Sequence, residues 1–291
     1  MSGRRPGEGQ AGGSWAWRRR RLRPLVVAGL AAAAVALYLF PLYWMVISGF
    51  KTQAEIFADP PTFFPRAPNL DAFRDIVLRE NVLRYLRNSV MIAAPVTILT
   101  AALSAMGAYA MARLKSRLVD VALVTVLLLQ VFPEALLATP IFIIFKSLGL
   151  VDTLAGVVLA TSARALAFAL VILRPMVRQI PIQLEEASRV DGCTTWQTFR
   201  LVVLPLMRVP IAVVAAITFA QAYGQFVYPL TLLSGQELQP GTVGLYGFIG
   251  AEVQDWHRVM AFATLFVMPI LVLFLVLQRR IVSGLTAGAL R

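Results

Sequence analysis

Blocks of about twenty apolar residues recur along this chain, and they constrain its fold more than any other feature. Leu25–Ile47 and Ser89–Ala112 carry no charge. Val121–Phe145 is interrupted only by Pro133, Glu134 and Pro140, and Leu154–Leu173 contains the single charge Arg164. Val209–Leu233 and Val259–Leu277 are again uncharged. An α-helix of that length spans the hydrocarbon core of a bilayer. Within that core each backbone N–H and C=O must be bonded inside the segment, which favours helices. The expectation is an all-α membrane protein with six transmembrane helices. Composition agrees: 58% of the 291 residues are hydrophobic and 14% charged, against roughly a quarter charged in soluble domains.

The net charge of +12 is arranged around the apolar blocks. It therefore reads as membrane topology, with a secondary contribution from anionic lipid, and not as a nucleic-acid surface. Six spans place both termini on one side. The N-terminal tail, "MSGRRPGEGQAGGSWAWRRRRLRP", holds seven Arg. Counting the connections after the second and fourth spans and the C-terminus, eighteen of the 27 Lys and Arg fall on that side, predicted to be cytoplasmic. The Arg run followed by Leu25–Ile47 looks like the start of a signal peptide. Its apolar run exceeds the about 7–15 residues of such a region, so it reads as an uncleaved span. The predicted organisation is a basic tail over 1–23, a first span over 24–50 and an external loop over 51–87. A transmembrane core follows over 88–280, with a polar loop at 181–205, and then a tail over 281–291. In the external loop, Phe73, Ile76, Val77, Val82 and Leu83 share a helical face, which predicts an interfacial helix over Asp71–Arg87. With one cysteine, Cys193, and one histidine, His257, no disulfide framework or His/Cys metal cluster can form, and no cofactor is expected in this chain.

The stretch "EEASRVDGCTTWQTFRLVVLPL", 185–206, is the ordered polar exception. No residue from Ile182 to Asp191 breaks a helix. Leu184, Ala187 and Val190 recur at helical spacing, with Glu185, Glu186 and Arg189 facing elsewhere. Gly192 suits a helix C-terminus. Thr194 and Gln197 have capping-box spacing for a second helix, with Trp196, Phe199 and Val203 along one face. An amphipathic element resting on lipid would have this shape too. Its acidic residues are nevertheless at least as numerous as its basic ones, three against two, which suits a socket in a partner protein better than an anionic membrane.

The motif Glu186-Ala187-Ser188, three residues, Gly192, nine residues, then Val202-Val203-Leu204-Pro205 resembles the EAA loop of permease subunits from binding-protein-dependent ABC importers. Ser188 and Val202 stand where that pattern has Ala and Ile. "FKTQAEIFADPPTFFP", "RNSV", "GAYAMARLKS" and "QRRIVSGLTAGAL" resemble segments of the maltose-type, MalG-like branch, so the resemblance covers roughly 30–291. It implies the type I ABC importer permease fold with both termini cytoplasmic, and sugar import without catalytic residues in this chain. It implies four partners: a second, MalF-like permease, two copies of a MalK-like ATPase that bind ATP and Mg, and an extracytoplasmic solute-binding protein. Docking onto the ATPase would fall to Glu186, Ala187, Ser188, Asp191, Gly192, Trp196, Leu204 and Pro205. Gly284, Leu285, Thr286 and Gly288 would form a small, flexible tail reaching between the ATPase subunits, or else a frayed end.

Fewer residues speak to the pathway. Arg164, in mid-span, either pairs with a carboxylate such as Glu134 or faces the solute path. Tyr223, Gln225 and Tyr228 form an aromatic and polar stripe suited either to sugar rings or to packing against the second permease. Where the family often shows Trp-Asn, this chain reads Tyr223-Gly224-Gln225-Phe226, which bears on the solute and not on the class. A polyol or a glycerophosphate-type solute is the alternative cargo. An ion-coupled secondary transporter is the rival class, but it predicts paired repeats that this chain lacks.

Overall fold

The structure is a computed structural model and describes residues 13–114, 116–249 and 255–289. The first twelve residues, Lys115 and Arg291, all part of the charge pattern, lie outside them. Among the described residues the fold is helical, with no strand.

Helix α1 (Gly13–Gly49) includes the Arg run and continues without a break through the first apolar block. Its Val26–Gly49 portion is apolar all round and packs little against the rest of the chain, as expected of a helix whose neighbours are lipid or another subunit. Short helices α2 (Gln53–Ile56) and α3 (Asp71–Leu78) lie in the loop after it. The interfacial helix is shorter than predicted. Asn81 adopts a left-handed φ of 52°, a conformation Asn tolerates better than most residues. The chain breaks there, and residues 82–87 become the first turns of α4 (Val82–Arg113).

Helix α4, α7 (Leu154–Arg178) and α11 (Arg208–Tyr223) form the centre, flanked by α14 (Trp256–Ala289). Small residues let the α4 and α7 backbones approach: Ala93, Ala105 and Ala108 on one, Ala160, Ala165 and Ala169 on the other, all buried. Among the described residues, four helices are long and apolar enough to cross a bilayer: the apolar part of α1, α4, α7 and Trp256–Val276 of α14. Thr195–Leu206 and α11 make a further apolar pair, bent by 75°.

Two predicted spans are not continuous. Val121–Phe145 divides into α5 (Arg117–Val131) and α6 (Glu134–Ser147), because Pro133 has no N–H to carry the helix on. Val209–Leu233 divides into α11 and the short α12 (Val227–Leu232) at Gly224–Phe226. The C-terminus also departs from the expected flexible tail: α14 stays helical to Ala289, through Gly284, Leu285, Thr286 and Gly288. Between α12 and α14, α13 (Gly241–Ile249) lies against α4. The "RNSV" residues at the start of α4 hold that connection. Asn88 Nδ2 donates to the carbonyls of Glu237 and Gln239 at 2.7 and 3.0 Å, and Gly241 N–H donates to Ser89 Oγ at 2.9 Å.

Candidate functional site

The polar loop folds as helix, glycine turn, helix. Helix α8 (Ile182–Val190) ends at Asp191, and Gly192 comes next at φ +85°. The N–H groups of Gly192 and Cys193 close the turn onto the carbonyls of Arg189 and Ser188, both at 3.0 Å. The capping box forms as its spacing predicts: Gln197 N–H donates to Thr194 Oγ1 and Thr194 N–H to Gln197 Oε1. Helix α9 (Thr195–Thr198) runs into a π-helical turn, Phe199–Val203, and then α10 (Leu204–Leu206) before the bend into α11. A π turn accommodates one extra residue and rotates the helix beyond it. The loop therefore meets α11 at an angle fixed by backbone geometry.

The orientation of α8 is opposite to the one its polarity suggests. Leu184, Ala187 and Val190 are exposed, Val190 at 88%, while Glu185 is fully buried and Ser188 nearly so. Glu185 explains the inversion. Its carboxylate accepts from Tyr109 Oη at 3.0 Å and from Arg113 Nε at 2.8 Å, and Arg113 Nη2 lies 2.6 Å from Oε1. The same Nη2 donates to the carbonyls of Val177 and Ile180 at 3.2 and 3.0 Å. One guanidinium thus ties the end of α4 to the end of α7 and to α8. A buried carboxylate needs such a partner, and this one sets which face of α8 turns inward.

Ser188 Oγ donates to the Glu185 carbonyl and lies 2.8 Å from Thr198 Oγ1, linking α8 to α9 from inside. Ser188, predicted as a docking residue, is therefore an internal contact. Glu186, Ala187, Asp191, Gly192, Leu204 and Pro205 lie on the surface. Trp196 is 58% exposed, with its ring against Phe199, which in turn packs on Tyr109. The outer surface is a knob of mixed apolar and charged residues, with Arg189 and Arg200 exposed beside Glu186 and Asp191. A second clamp lies beside it: buried Arg174 pairs with Asp120 at the start of α5 and donates to the Met111 carbonyl.

Further into the bundle, an open cavity of about 430 Å³ lies between α5, α6, α7 and α11. Gln130, Glu134, Thr161, Arg164, Phe168, Gln221, Gln225 and Phe226 line it. Arg164 Nε pairs with Glu134 Oε1 at 2.7 Å, and Gln130 Nε2 donates to the Arg164 carbonyl at 2.8 Å. Arg164 is thus paired with the carboxylate named as its candidate partner, and it also lines an open space. The span-five stripe does not stay together. Gln225 lines the cavity, its Oε1 accepting from the N–H groups of Phe226 and Val227 at the start of α12. Tyr223 and Tyr228 are buried in the core of this subunit. Tyr223 donates to the Phe266 carbonyl at 3.1 Å and stacks on the Phe266 ring. Among the described residues no group of three or more His, Cys, Asp or Glu could hold a metal.

The chain is a bundle of apolar helices with an exposed helical knob and a polar cavity. Residues 98–286 match the family described as binding-protein-dependent transport system inner membrane component, and the chain belongs to that family. It is 31% identical to the diacetylchitobiose uptake system permease DasC of Streptomyces coelicolor over 263 residues, covering 89% of this chain and 95% of that protein. It is likewise 31% identical to the sulfoquinovosyl glycerol transport permease SmoH of Agrobacterium fabrum, over 87% of this chain and 89% of that one. A solved bacterial ABC transporter involved in import of the acidic polysaccharide alginate shares the fold. Its TM-score is 0.74 at 19% identity, over 90% of this chain and 97% of that chain. The chain is thus a membrane-embedded permease subunit of an ABC importer, a transport component and not an enzyme.

Sequence reasoning points to Glu186 and misses Glu185, Arg113 and Tyr109. A signal is present: Tyr109 and Arg113 are four apart at the end of an apolar helix and so share a face, but their partner lies 76 and 72 positions further along the chain.

Proposed function

We propose that this chain imports a di- or oligosaccharide, and that residues 181–205 carry the motion of separate ATPase subunits to the spans. One observation carries the coupling role: α8 is fastened inward through Glu185 while Leu184, Glu186, Val190 and Trp196 stay exposed. A knob held rigidly on one side transmits displacement, whereas an element lying loosely on lipid would not. The sugar reading draws on the cargo of the relatives and on a cavity rich in hydroxyl-binding groups. In this reading α5 with α6, and α11 with α12, are broken spans that bring the total to six, with both termini cytoplasmic. The companions are a MalF-like permease, two MalK-like ATPases holding ATP and Mg, and an extracytoplasmic binding protein. Closure of the ATPase pair would rock the bundles between inward-facing and outward-facing states.

The test is ATP hydrolysis by the reconstituted complex with loaded binding protein. Gly192→Val has open space around its new side chain but a positive φ to keep, a strain of about 1–2 kcal/mol. It should misplace Glu186 relative to Trp196. Glu186→Lys reverses a charge on the docking face. Both should insert normally yet weaken ATPase association or abolish stimulated hydrolysis. If both variants transport at the wild-type rate, the loop is not the coupling element.

A further inference from the structure

The cavity between α5, α6, α7 and α11 has a charge balance that bears on its cargo. Its lining holds one cation, Arg164, and one anion, Glu134, locked together at 2.7 Å, and no other ionised side chain. A lipid-facing recess would not be built this way, since polar and ionised groups against hydrocarbon are costly. A second observation points inward. Thr161 lies on the lining and is 5% exposed, yet its Oγ1 has no hydrogen-bond partner. A buried hydroxyl without a partner carries an unmet desolvation cost that a bound polar group would relieve.

We propose that this cavity is a contact site for an uncharged, hydroxyl-rich solute, held between the Glu134–Arg164 pair and the Thr161 hydroxyl. The proposal rests on the importer reading above and narrows its cargo. A sugar hydroxyl both donates and accepts. It can donate to a Glu134 oxygen and accept from the Arg164 guanidinium without separating them. A neighbouring hydroxyl can engage Thr161. The amide NH2 of Gln225 is a further donor, since its Oε1 is taken up by Phe226 and Val227. Phe168 and Phe226 offer apolar faces for the C–H side of a ring. A carboxylate or sulfonate fits poorly. To reach Arg164 it must lie against Glu134 or displace it, which sets a like charge beside that carboxylate or leaves it unpaired.

The experiment uses proteoliposomes holding the complete importer, with its own binding protein. Four labelled solutes are compared: trehalose, diacetylchitobiose, sulfoquinovosyl glycerol and an alginate trisaccharide. The expected result is ATP-dependent uptake of a neutral sugar and of neither acid. Thr161→Val keeps the shape and removes the hydroxyl, and Glu134→Gln keeps the shape and removes the charge. Each should cut neutral uptake at least fivefold while hydrolysis stimulated by the loaded binding protein is retained. Uptake of an acid alone, or unchanged neutral uptake in both variants, overturns the assignment and leaves the importer reading standing. Loss of complex assembly in both variants would make the lining a subunit contact and also overturns it. If none of the four is taken up and hydrolysis is unstimulated, the importer reading fails and this assignment fails with it.

Discussion

Removing either partner of the Arg113–Glu185 pair should unfasten the proposed coupling loop, and the two removals should not cost the same. Breaking a buried pair costs about 3–5 kcal/mol when a charge is left unpaired. Glu185→Ala leaves Arg113, whose side chain is 20% exposed and retains the carbonyls of Val177 and Ile180. That orphan is partly solvated, so the cost belongs at the low end, about 3 kcal/mol. Arg113→Ala leaves Glu185 at 0% exposure with Tyr109 as its one remaining side-chain donor among the described residues, which belongs at the high end, about 5 kcal/mol. The readout is local: hydrogen exchange of the α8 amides in the membrane-inserted subunit. An opening easier by about 3 kcal/mol raises exchange roughly a hundredfold. Protection should therefore fall in both variants and further in Arg113→Ala. The double variant should cost less than the sum of the two, because neither charge is then stranded. Arg113→Lys should not restore protection, since one ammonium cannot serve the carboxylate and two carbonyls in the guanidinium's geometry. Wild-type protection in both single variants would refute the latch. A larger loss in Glu185→Ala would refute the burial reasoning.

Three further outcomes are expected. In a Cys193→Ser background, cysteines placed at Gly288 and Pro61 should label from opposite sides of the membrane; labelling of Gly288 from outside intact cells defeats the six-span topology. Truncation after Ser283 should impair transport while the complex still assembles, and unchanged uptake would remove any ATPase contact by the end of α14. In the external loop, the Arg66 N–H and the Thr62 hydroxyl both donate to Glu55 Oε1 at 2.8 Å. The backbone bond from Arg66 chiefly, with help from Thr62, holds that carboxyl below its usual range. This contribution is complete above the ordinary glutamate range and is lost as pH falls through the lowered value. Proteolysis of 52–66 should therefore accelerate in acid, and Glu55→Gln should flatten that pH dependence; an equally steep profile in the variant would exclude Glu55 as its source.

What can be read in the sequence is local. The Gly192 turn and the Thr194–Gln197 cap each depend on residues within a few positions, and both are where spacing puts them. The apolar blocks are legible because a bilayer demands length and little else. The failures come from partners distant in sequence. On α8 the apolar residues have the spacing of an inner face, but Glu185 has a cation waiting on another helix, and Leu184 and Val190 turn outward. Tyr223 and Gln225 are close in sequence and suggest one stripe, although a backbone carbonyl on α14 satisfies the tyrosine hydroxyl inside the core. Pro133 is visible as an interruption and Glu134 as a candidate partner for Arg164, and the fold selects that pairing.

The separation of 72 positions from Arg113 to Glu185 also orders events in time. A growing chain presents Arg113 while Glu185 is still unmade. On the proposed topology, Arg113 first serves as one of the positive charges that keep the end of α4 from crossing the bilayer. Only after α5, α6 and α7 have been synthesised does a carboxylate arrive to claim it. The same guanidinium then stops being an anchor and becomes a latch. On the same proposal, a half-finished permease has its membrane orientation before the surface proposed to receive the ATPase exists, so docking would meet a subunit whose first seven helices are already made.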